Sequence, residues 1–461
     1  MKVKEIPSKW IYREGLRLDG KPYMSGALEA REILEALSDT EPLKNFTDGH
    51  DGGIYNGPKF SRIWVSEPIH GVPFLGSSSM LMSDLSNLPL LQRKYAESPK
   101  LSHLRLKKGT TLISCSGTIG KMVYSRLDME DMWTSQHIMK IVPNESKIRP
   151  GYLYAFLSGK FGVPLIISGT YGAIIQHIEP HHVSSLPVPR IGSGVEEKVH
   201  ELVESASQKR TVSLELLEKS QSLLRQVFNF PEIENRESIW TAQSATSLNR
   251  FDAFYFSEAN KIARSIFDSS NCLLALKKVS DVYIPNIFKR RYADDPNYGY
   301  PYITGADVFE LAPTSDRFLM KTVAEENQLV LRKGMILIQE AGQLSGLIGR
   351  SVQVGSYLDG FACTNNMVRV TPNEPEDRGY LFTVLASEYG VRLIQREAAG
   401  SSIPHIEVSR VQNLEIPWPA REIRRKIGQP AMKAQDLRDA ACELENQARE
   451  LVEKAIEEAA A

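Results

Sequence analysis

The sequence predicts a mixed α/β protein written twice: two heads of short strands and helices, each followed by a long charged helix, with the two helices packed antiparallel as a coiled coil. Three observations predict it. Segments of the first half recur in the same order in the second half, which is the feature to seek before any other. Short apolar runs bounded by glycine and proline, such as Thr111-Leu-Ile-Ser114, Met335-Ile-Leu-Ile338 and Met367-Val-Arg-Val370, carry strand signals. Two long stretches then place apolar residues at helical spacing with charges between them. The expected boundaries are a head at 1–190, a central helix at 191–230, a second head at 231–419 and a distal helix at 420–461.

The repeat is collinear. Leu106-Lys-Lys-Gly-Thr-Thr-Leu-Ile113 matches Leu331-Arg-Lys-Gly-Met-Ile-Leu-Ile338, and Gly151-Tyr-Leu-Tyr-Ala-Phe-Leu-Ser158 matches Gly379-Tyr-Leu-Phe-Thr-Val-Leu-Ala386. Ile175-Gln-His-Ile-Glu179 matches Ile403-Pro-His-Ile-Glu407, and Leu186-Pro-Val-Pro189 matches Ile416-Pro-Trp-Pro419. Upstream, Phe60-Ser-Arg62 pairs with Phe288-Lys-Arg290, Pro73-Phe-Leu75 with Pro301-Tyr-Ile303, and Arg17-Leu-Asp19 with Arg250-Phe-Asp252. In each half, short helices at Tyr152–Ser158 and Tyr380–Ser387 precede a Pro-x-Pro that ends the head, because proline continues neither a helix nor a central strand.

Composition narrows the class without naming it. At 461 residues the chain exceeds one ordinary core, since domains run to roughly 100–200 residues. An apolar share of 42% and a charged share of 24% are those of a soluble protein. No run approaches the ~20 apolar residues of a membrane helix, and MKVKEIPSKWIYREG has no apolar core or cleavage site of a secretory signal. Cys115, Cys272, Cys363 and Cys442 stand far apart, which reads as reduced thiols and a cytoplasmic setting. A net charge of −1 excludes a binder that relies on bulk phosphate neutralisation, so any DNA binding must use local basic patches or a partner's charge.

After Pro189, Ser193-Gly-Val-Glu196 has the form of a capping box, and no proline or glycine follows until after Phe228. Val199, Leu202, Leu216 and Leu223 mark the apolar face of this central helix. In the distal segment, Gly428-Gln-Pro430 predicts a break and a fresh helix starting at Pro430. From there Leu437, Ala441, Leu444, Ala448, Leu451 and Ala455 follow the spacing of a coiled-coil seam. Two readings are open. Each helix covers its own head, or the two pair as a rod; about 35 helical residues would span ~50 Å, against ~34 Å for one turn of DNA.

The run Lys108-Gly-Thr-Thr-Leu-Ile-Ser-Cys-Ser-Gly-Thr-Ile-Gly-Lys121 resembles a segment of type I restriction-modification DNA specificity (S) subunits. So do Ser135-Gln-His137, the segment from Tyr152, the Gly169–Ile178 run and Leu186-Pro-Val-Pro189 ahead of a helix. The resemblance spans nearly the whole chain, in the order target-recognition domain, helix, target-recognition domain, helix. This chain departs from the pattern at Thr110 and Met335, where an acidic residue is usual. It departs again at Gln343-Leu-Ser-Gly346, Thr364-Asn-Asn366 and Arg421-Glu422. The resemblance implies a non-catalytic subunit that binds a bipartite double-stranded DNA target and recruits two methyltransferase subunits for adenine methylation. S-adenosylmethionine would be bound by those partners, and ATP and magnesium by restriction subunits where these join. A two-headed protein-interaction scaffold that reads no DNA is the alternative.

Reading bases needs side chains that donate and accept, with cations to hold phosphates. In the first head the candidates are Lys59, Arg62, Ser114, Ser116, Thr118, Lys121, Gln136, His137, Tyr171 and Gln176. In the second they are Lys289, Arg290, Arg291, Gln339, Gln343, Asn365, Asn366, Ser401, Ser402 and His405. Lys289-Arg-Arg291 is the most compact phosphate-binding run, while His177 and His405, at matching places, read first as loop anchors. Enzyme readings fall short. Asp295-Pro-Asn-Tyr298 lacks the second proline of an adenine-methyltransferase motif and reads as a turn. Gly117-Thr-Ile-Gly-Lys121 has Cys115 and Met122 where a phosphate loop needs glycine and a hydroxyl. His177, His181 and His182 surround Pro180 with no second ligand set, and Asp48-Gly-His-Asp-Gly-Gly53 lacks the ladder of a calcium loop and reads as mobile.

Overall fold

The structure is a computed structural model that describes residues 3–461 apart from 14–15, 17–19, 169–176, 232–253, 271, 345 and 401. The Arg17 and Arg250 repeat segments therefore lie outside the described residues. The chain divides into two compact units, residues 1–211 with 440–461 and residues 212–439.

In unit 1 the strands are β1 (Thr40–Pro42), β2 (Ile54–Tyr55), β3 (Trp64–Val65), β4 (Gly71–Leu75), β5 (Leu90–Gln92), β6 (Thr111–Ser114), β7 (Met122–Tyr124), β8 (Trp133–Thr134), β9 (Ile138–Ile141) and β10 (Pro187–Pro189). Unit 2 continues with β11 (Leu273–Ala275), β12 (Ser280–Tyr283), β13 (Tyr292–Ala293), β14 (Gly299–Ile303), β15 (Phe318–Met320), β16 (Ile336–Gln339), β17 (Ser351–Gln353), β18 (Ala362–Cys363), β19 (Met367–Pro372) and β20 (Glu415–Pro417). The sheets of unit 1 run β1-β10, β2-β9-β6-β7 and β3-β5-β4-β8. Those of unit 2 run β11-β20, β12-β19-β16-β17 and β13-β15-β14-β18. Adding ten to every strand number of the first unit gives the second, so the duplication read in the residues is a duplication of topology. The one parallel pairing recurs too, Phe74 opposite Trp133 and Tyr302 opposite Ala362.

Local chemistry repeats with it. Gly109 and Gly334 both take positive φ, +83° and +98°, and donate to Ser125 O and Val354 O at the start of the β6–β7 and β16–β17 hairpins. A side chain is strained in that region, which explains the shared Lys-Gly. The central sheet of each unit sends one face into a helical core: Ile113, Met139 and Ile141 meet Tyr152, Leu153 and Phe156, and Ile336, Ile338, Val368 and Val370 meet Tyr380, Leu381 and Val384. Tyr152 and Tyr380 each give their hydroxyl to a proline carbonyl of the Pro-x-Pro, that of the second proline, Pro189, in unit 1 and of the first, Pro417, in unit 2. The second sheet carries its own core, Val72, Phe74, Leu91 and Trp133 in one unit and Tyr302, Leu319 and Ala362 in the other.

The helices are a central one, Ser193–Phe228, and a distal one, Arg421–Ala460. In unit 1 the start of the central helix packs on the end of the distal helix, with Val199 and Val203 in one core with Ala448, Val452 and Ile456. In unit 2 the later part of the central helix packs on the earlier part of the distal one, where Leu224 meets Ile427 and Ala431. Within unit 1 the order runs from Val199 in one core with Val452 and Ile456 to Arg210 paired with Glu445, so the two helices are antiparallel there.

Several expectations are corrected here. Ser193 is the first helical residue, and Glu196 turns back to Arg190 at 2.9 and 2.8 Å and to Ile191 N at 3.1 Å instead of closing a capping box on Ser193. The distal helix does not restart at Pro430 but runs through it. Proline there removes one helical donor, and Ser220 Oγ supplies a hydrogen bond to the nearby Ile427 carbonyl at 2.6 Å. The glycine beside it permits contact: a Cβ on Gly428 would sit 2.4 Å from Tyr380 N. The leucine seam is also turned. Leu437, Leu444 and Leu451 are half-buried, as are Leu202, Leu216 and Leu223. Fully buried positions include Val199, Ala206, Ser213, Ser220 and Leu224 on the central helix and Ala431, Ala434, Ala441, Ala448 and Ile456 on the distal one. Arg210 and Glu445 form a buried ion pair on this face, beside Tyr154 and Cys442.

Within the largely exposed Asp48–Gly53 loop, His50 stacks on His103 with centroids 3.9 Å apart and meets Tyr55 edge-on. Asp295 accepts from Asn297 N at 2.9 Å and caps a single 3-10 turn. Among the described residues, no helix is long and apolar enough to cross a membrane, and no group of three His, Cys, Asp or Glu side chains is placed to hold a metal ion.

Candidate nucleic-acid interface

In unit 1, backbone hydrogen bonds tie three loops into one surface. The β6–β7 hairpin closes through Ser114 N to Lys121 O (2.9 Å) and Gly120 N to Ser114 O (3.0 Å). Glycine is needed at 120 on two counts: it takes φ +81°, and a Cβ there would lie 2.8 Å from Ile167. Cys115 N donates to His137 O at 2.9 Å, and Ile178 N to Cys115 O at 3.4 Å. The hairpin loop, the turn before β9 and the segment at His177 are thereby held side by side. A fourth loop, between β2 and β3, passes over the turn, since a Cβ on Gly57 would lie 3.2 Å from Gln136 Cα.

The polar side chains converge. Arg62 Nη2 donates to Gln136 Oε1 at 3.2 Å while its guanidinium lies 5.3 Å from the Phe74 ring centre. Gln136 Nε2 lies 3.1 Å from His137 Nε2, and the His137 and His177 rings stack at 6.4 Å. Burial holds the His137 pKa below the ordinary imidazole value, and the charges of Arg62, His177 and Lys59 add to the effect. Lys59, Arg62, Gln136, His137 and His177 thus form one electropositive, partly exposed cluster. Thr118 is exposed, and Ser116 and Lys121 are half-buried. Ser114 lies beneath: fully buried, its hydroxyl meets Ser116 O at 3.2 Å and Thr118 Oγ1 at 3.3 Å, so it shapes the loop rather than facing outward. Tyr171 and Gln176 lie outside the described residues.

Unit 2 uses the same ties. Glu340 N donates to Asn366 O at 3.1 Å and Ile406 N to Glu340 O at 3.0 Å, as Cys115 and Ile178 do in unit 1. His405 Nδ1 lies 2.8 Å from Glu340 Oε1, which anchors that segment to the hairpin. Gln343 Nε2 donates to Ser402 O at 2.9 Å. Asn366 is exposed and Asn365 half-buried. Lys289, Arg290 and Arg291 are exposed, and Arg290 Nε bonds Tyr302 Oη at 3.1 Å, the place Arg62 holds over Phe74. Gln339 is the counterpart of Ser114. Its Nε2 binds Ala341 O at 2.9 Å, and its Oε1 is buried without a partner. Ser401 lies outside the described residues.

Three features escaped the sequence reading. Gln339 N donates to Arg350 O and Gly349 N to Gln339 O, each at 2.9 Å, so Gly349-Arg350 stands where Gly120-Lys121 stands. Four extra residues in the second hairpin hide that match, although Ile348-Gly-Arg350 echoes Ile119-Gly-Lys121. Trp64 and Tyr292, on β3 and β13, present 47% and 39% of their surface beside the cations. Lys140 and Arg369, charged residues inside otherwise apolar strands, went unremarked.

Residues 70–189 match a family described as the type I restriction modification DNA specificity domain. Those residues form a specificity domain. The match bears out the resemblance that the sequence carries to type I specificity subunits. This specificity domain contains β4 to β10 and the hairpin and turn of the cluster; Lys59 and Arg62 precede it. Residues 273–417 repeat the strand order of unit 1. No curated protein matches the chain. Among solved structures, the chain is similar to the S subunit of a type I restriction-modification system from M. genitalium, at 11% identity and a TM-score of 0.36, covering 91% of this chain and 95% of that one. It is also similar to the HsdS subunit from Thermoanaerobacter tengcongensis, at 15% identity and a TM-score of 0.27, covering 93% and 95%. A third similarity is to a chain from a study of type I R-M complex assembly and conformational transition, at 16% identity and a TM-score of 0.28, covering 90% and 97%.

Proposed function

We propose that the chain is the DNA sequence-specificity subunit of a type I restriction-modification assembly, with a reading head in each unit. One observation carries the reading: the same backbone ties hold the same loops twice but present different polar side chains. The first head offers Gln136 and His137 with Lys59, Arg62 and Lys121; the second offers Asn365 and Asn366 with Lys289, Arg290, Arg291 and Arg350. A shared scaffold with different readers suits a bipartite target whose two blocks differ. Glutamine and asparagine amides can bond adenine N7 and N6 together in the major groove. The cations and the Ser116, Thr118, Ser402 and Gln343 groups would fix register on the phosphates.

In this reading the chain supplies no catalytic group. Two methyltransferase subunits dock on it, bind S-adenosylmethionine, flip the target adenine and methylate it; restriction subunits with ATP and magnesium join where the system has them. The chain's net charge of −1 leaves the long-range attraction of DNA to those partners and to the local cation clusters.

The test is selection from a randomised duplex library by the chain co-expressed with its methyltransferase subunit. Two short specified blocks around an unspecified spacer are expected. An intact complex that enriches no sequence at low salt would overturn the reading in favour of a two-headed scaffold.

A further inference from the structure

A buried lysine and a buried arginine occupy the same place in the two heads. Lys140 on β9 and Arg369 on β19 are each 1% exposed. Lys140 lies opposite Leu112 and Tyr55, and Arg369 opposite Leu337 and Tyr283, so the register is the same. Their strand neighbours Met139, Ile141, Val368 and Val370 face the helical cores. Alternation then puts both cations on the opposite face of the sheet. Burial depresses the pKa of both, that of Lys140 to about 7.

Their main polar contacts are backbone carbonyls, with the Cys363 thiol also beside Arg369. Lys140 Nζ donates to Ile138 O at 3.1 Å and lies 5.1 Å from the Tyr55 ring centre. Arg369 donates through Nη1 to Met367 O at 2.6 Å and through Nη2 to Cys363 O at 3.1 Å. Cys363 and Met367 flank Thr364-Asn365-Asn366, and Ile138 directly follows Ser135-Gln136-His137. Each cation therefore reaches back beneath the turn that carries the outward-facing amides. A buried charge without a counter-charge is costly, and an apolar residue of similar volume is usually neutral or stabilising in its place. Two copies that keep a cation-forming side chain while changing its shape, an amine in one and a guanidinium in the other, point to a use for that group.

We propose that Lys140 and Arg369 are positioning residues for DNA reading: each ties the turn of its head to the sheet behind it, and the positive charge each carries when protonated is offset by a bound phosphate backbone. This rests on the heads' being DNA-binding. The experiment repeats the library selection with the full chain and its methyltransferase subunit, using wild type, Arg369→Met and Arg369→Lys, with melting curves for each. The methionine variant is expected to melt no lower than wild type and to lose about tenfold in affinity, the scale of a lost charge-assisted contact. It should lose preference in one block only, with a shallower salt dependence, and Arg369→Lys should restore that block.

A wild type that selects nothing sinks the DNA reading itself. A wild type with two blocks and an Arg369→Met variant that reads both unchanged sinks only this inference. Loss of the folded transition in both variants would also overturn it, by showing that Arg369 holds the fold and nothing more.

Discussion

At the scale of single residues, the first head makes its cluster electropositive by bringing Lys59, Arg62 and His177 around His137. Burial and those charges disfavour the imidazolium, so an NMR titration should place the His137 midpoint below the ordinary ~6.5. Arg62→Ala should move it back up. The folded state then binds that proton less readily than the unfolded chain. The group's contribution to stability is present above the ordinary imidazole pKa and is lost as pH falls toward the lowered folded value. The same Arg62→Ala variant should reduce the slope of log affinity against log salt by about 1, the signature of one lost phosphate contact. An unchanged slope would remove Arg62 from the interface. Residue type alone showed Gln136, His137, Asn366 and the cations as candidates, because donors and acceptors clustered between apolar runs point to contact. It did not show depth. Ser114 and Gln339 look equally polar in sequence but end buried strands, and Lys140 and Arg369 were passed over because one charge in an apolar run leaves its orientation open.

At the scale of elements, the helices were legible in period and length but not in phase. The expected seam alternated leucine with alanine; its alanines Ala441 and Ala448 are fully buried, while Leu444 is half-buried. Ala448→Leu should therefore destabilise the protein by about 1–3 kcal/mol through overpacking. Leu444→Gln should cost less, and denaturant midpoints would rank the two; the reverse order would restore the leucine seam. The Arg210–Glu445 pair, buried on both sides, gives a second test. Removing one partner with Glu445→Leu should cost about 3–5 kcal/mol, whereas Arg210→Met with Glu445→Leu should be close to neutral. Equal losses in the single and double variants would mean that the pair stabilises rather than selects the helix register. Pro430 misled because the rule that proline opens a helix takes no account of packing: Ile427 and Ala431, on either side of it, are both fully buried in one core with Leu224.

At the scale of the whole molecule, the duplication was the most legible feature, because it is written in order and spacing rather than in any one motif. The strand-for-strand match of the two units follows from it. If each head reads alone, replacing residues 1–190 with a head of different preference should change one block of the selected target and leave the other intact. The unit boundaries were less legible. Unit 1 is not a continuous stretch but recruits residues 440–461, whose Ala448, Val452 and Ile456 complete the core around Val199 and Val203. During synthesis this reverses the usual order of maturation. Residues 212–439 are contiguous and close on their own contacts, whereas the earlier-made unit must wait for residues 440–461 with part of its core uncovered. A polypeptide halted at residue 439 should accordingly give a protease-resistant second unit and a readily digested first one, so damage to the end of the message would be felt first in the half translated earliest.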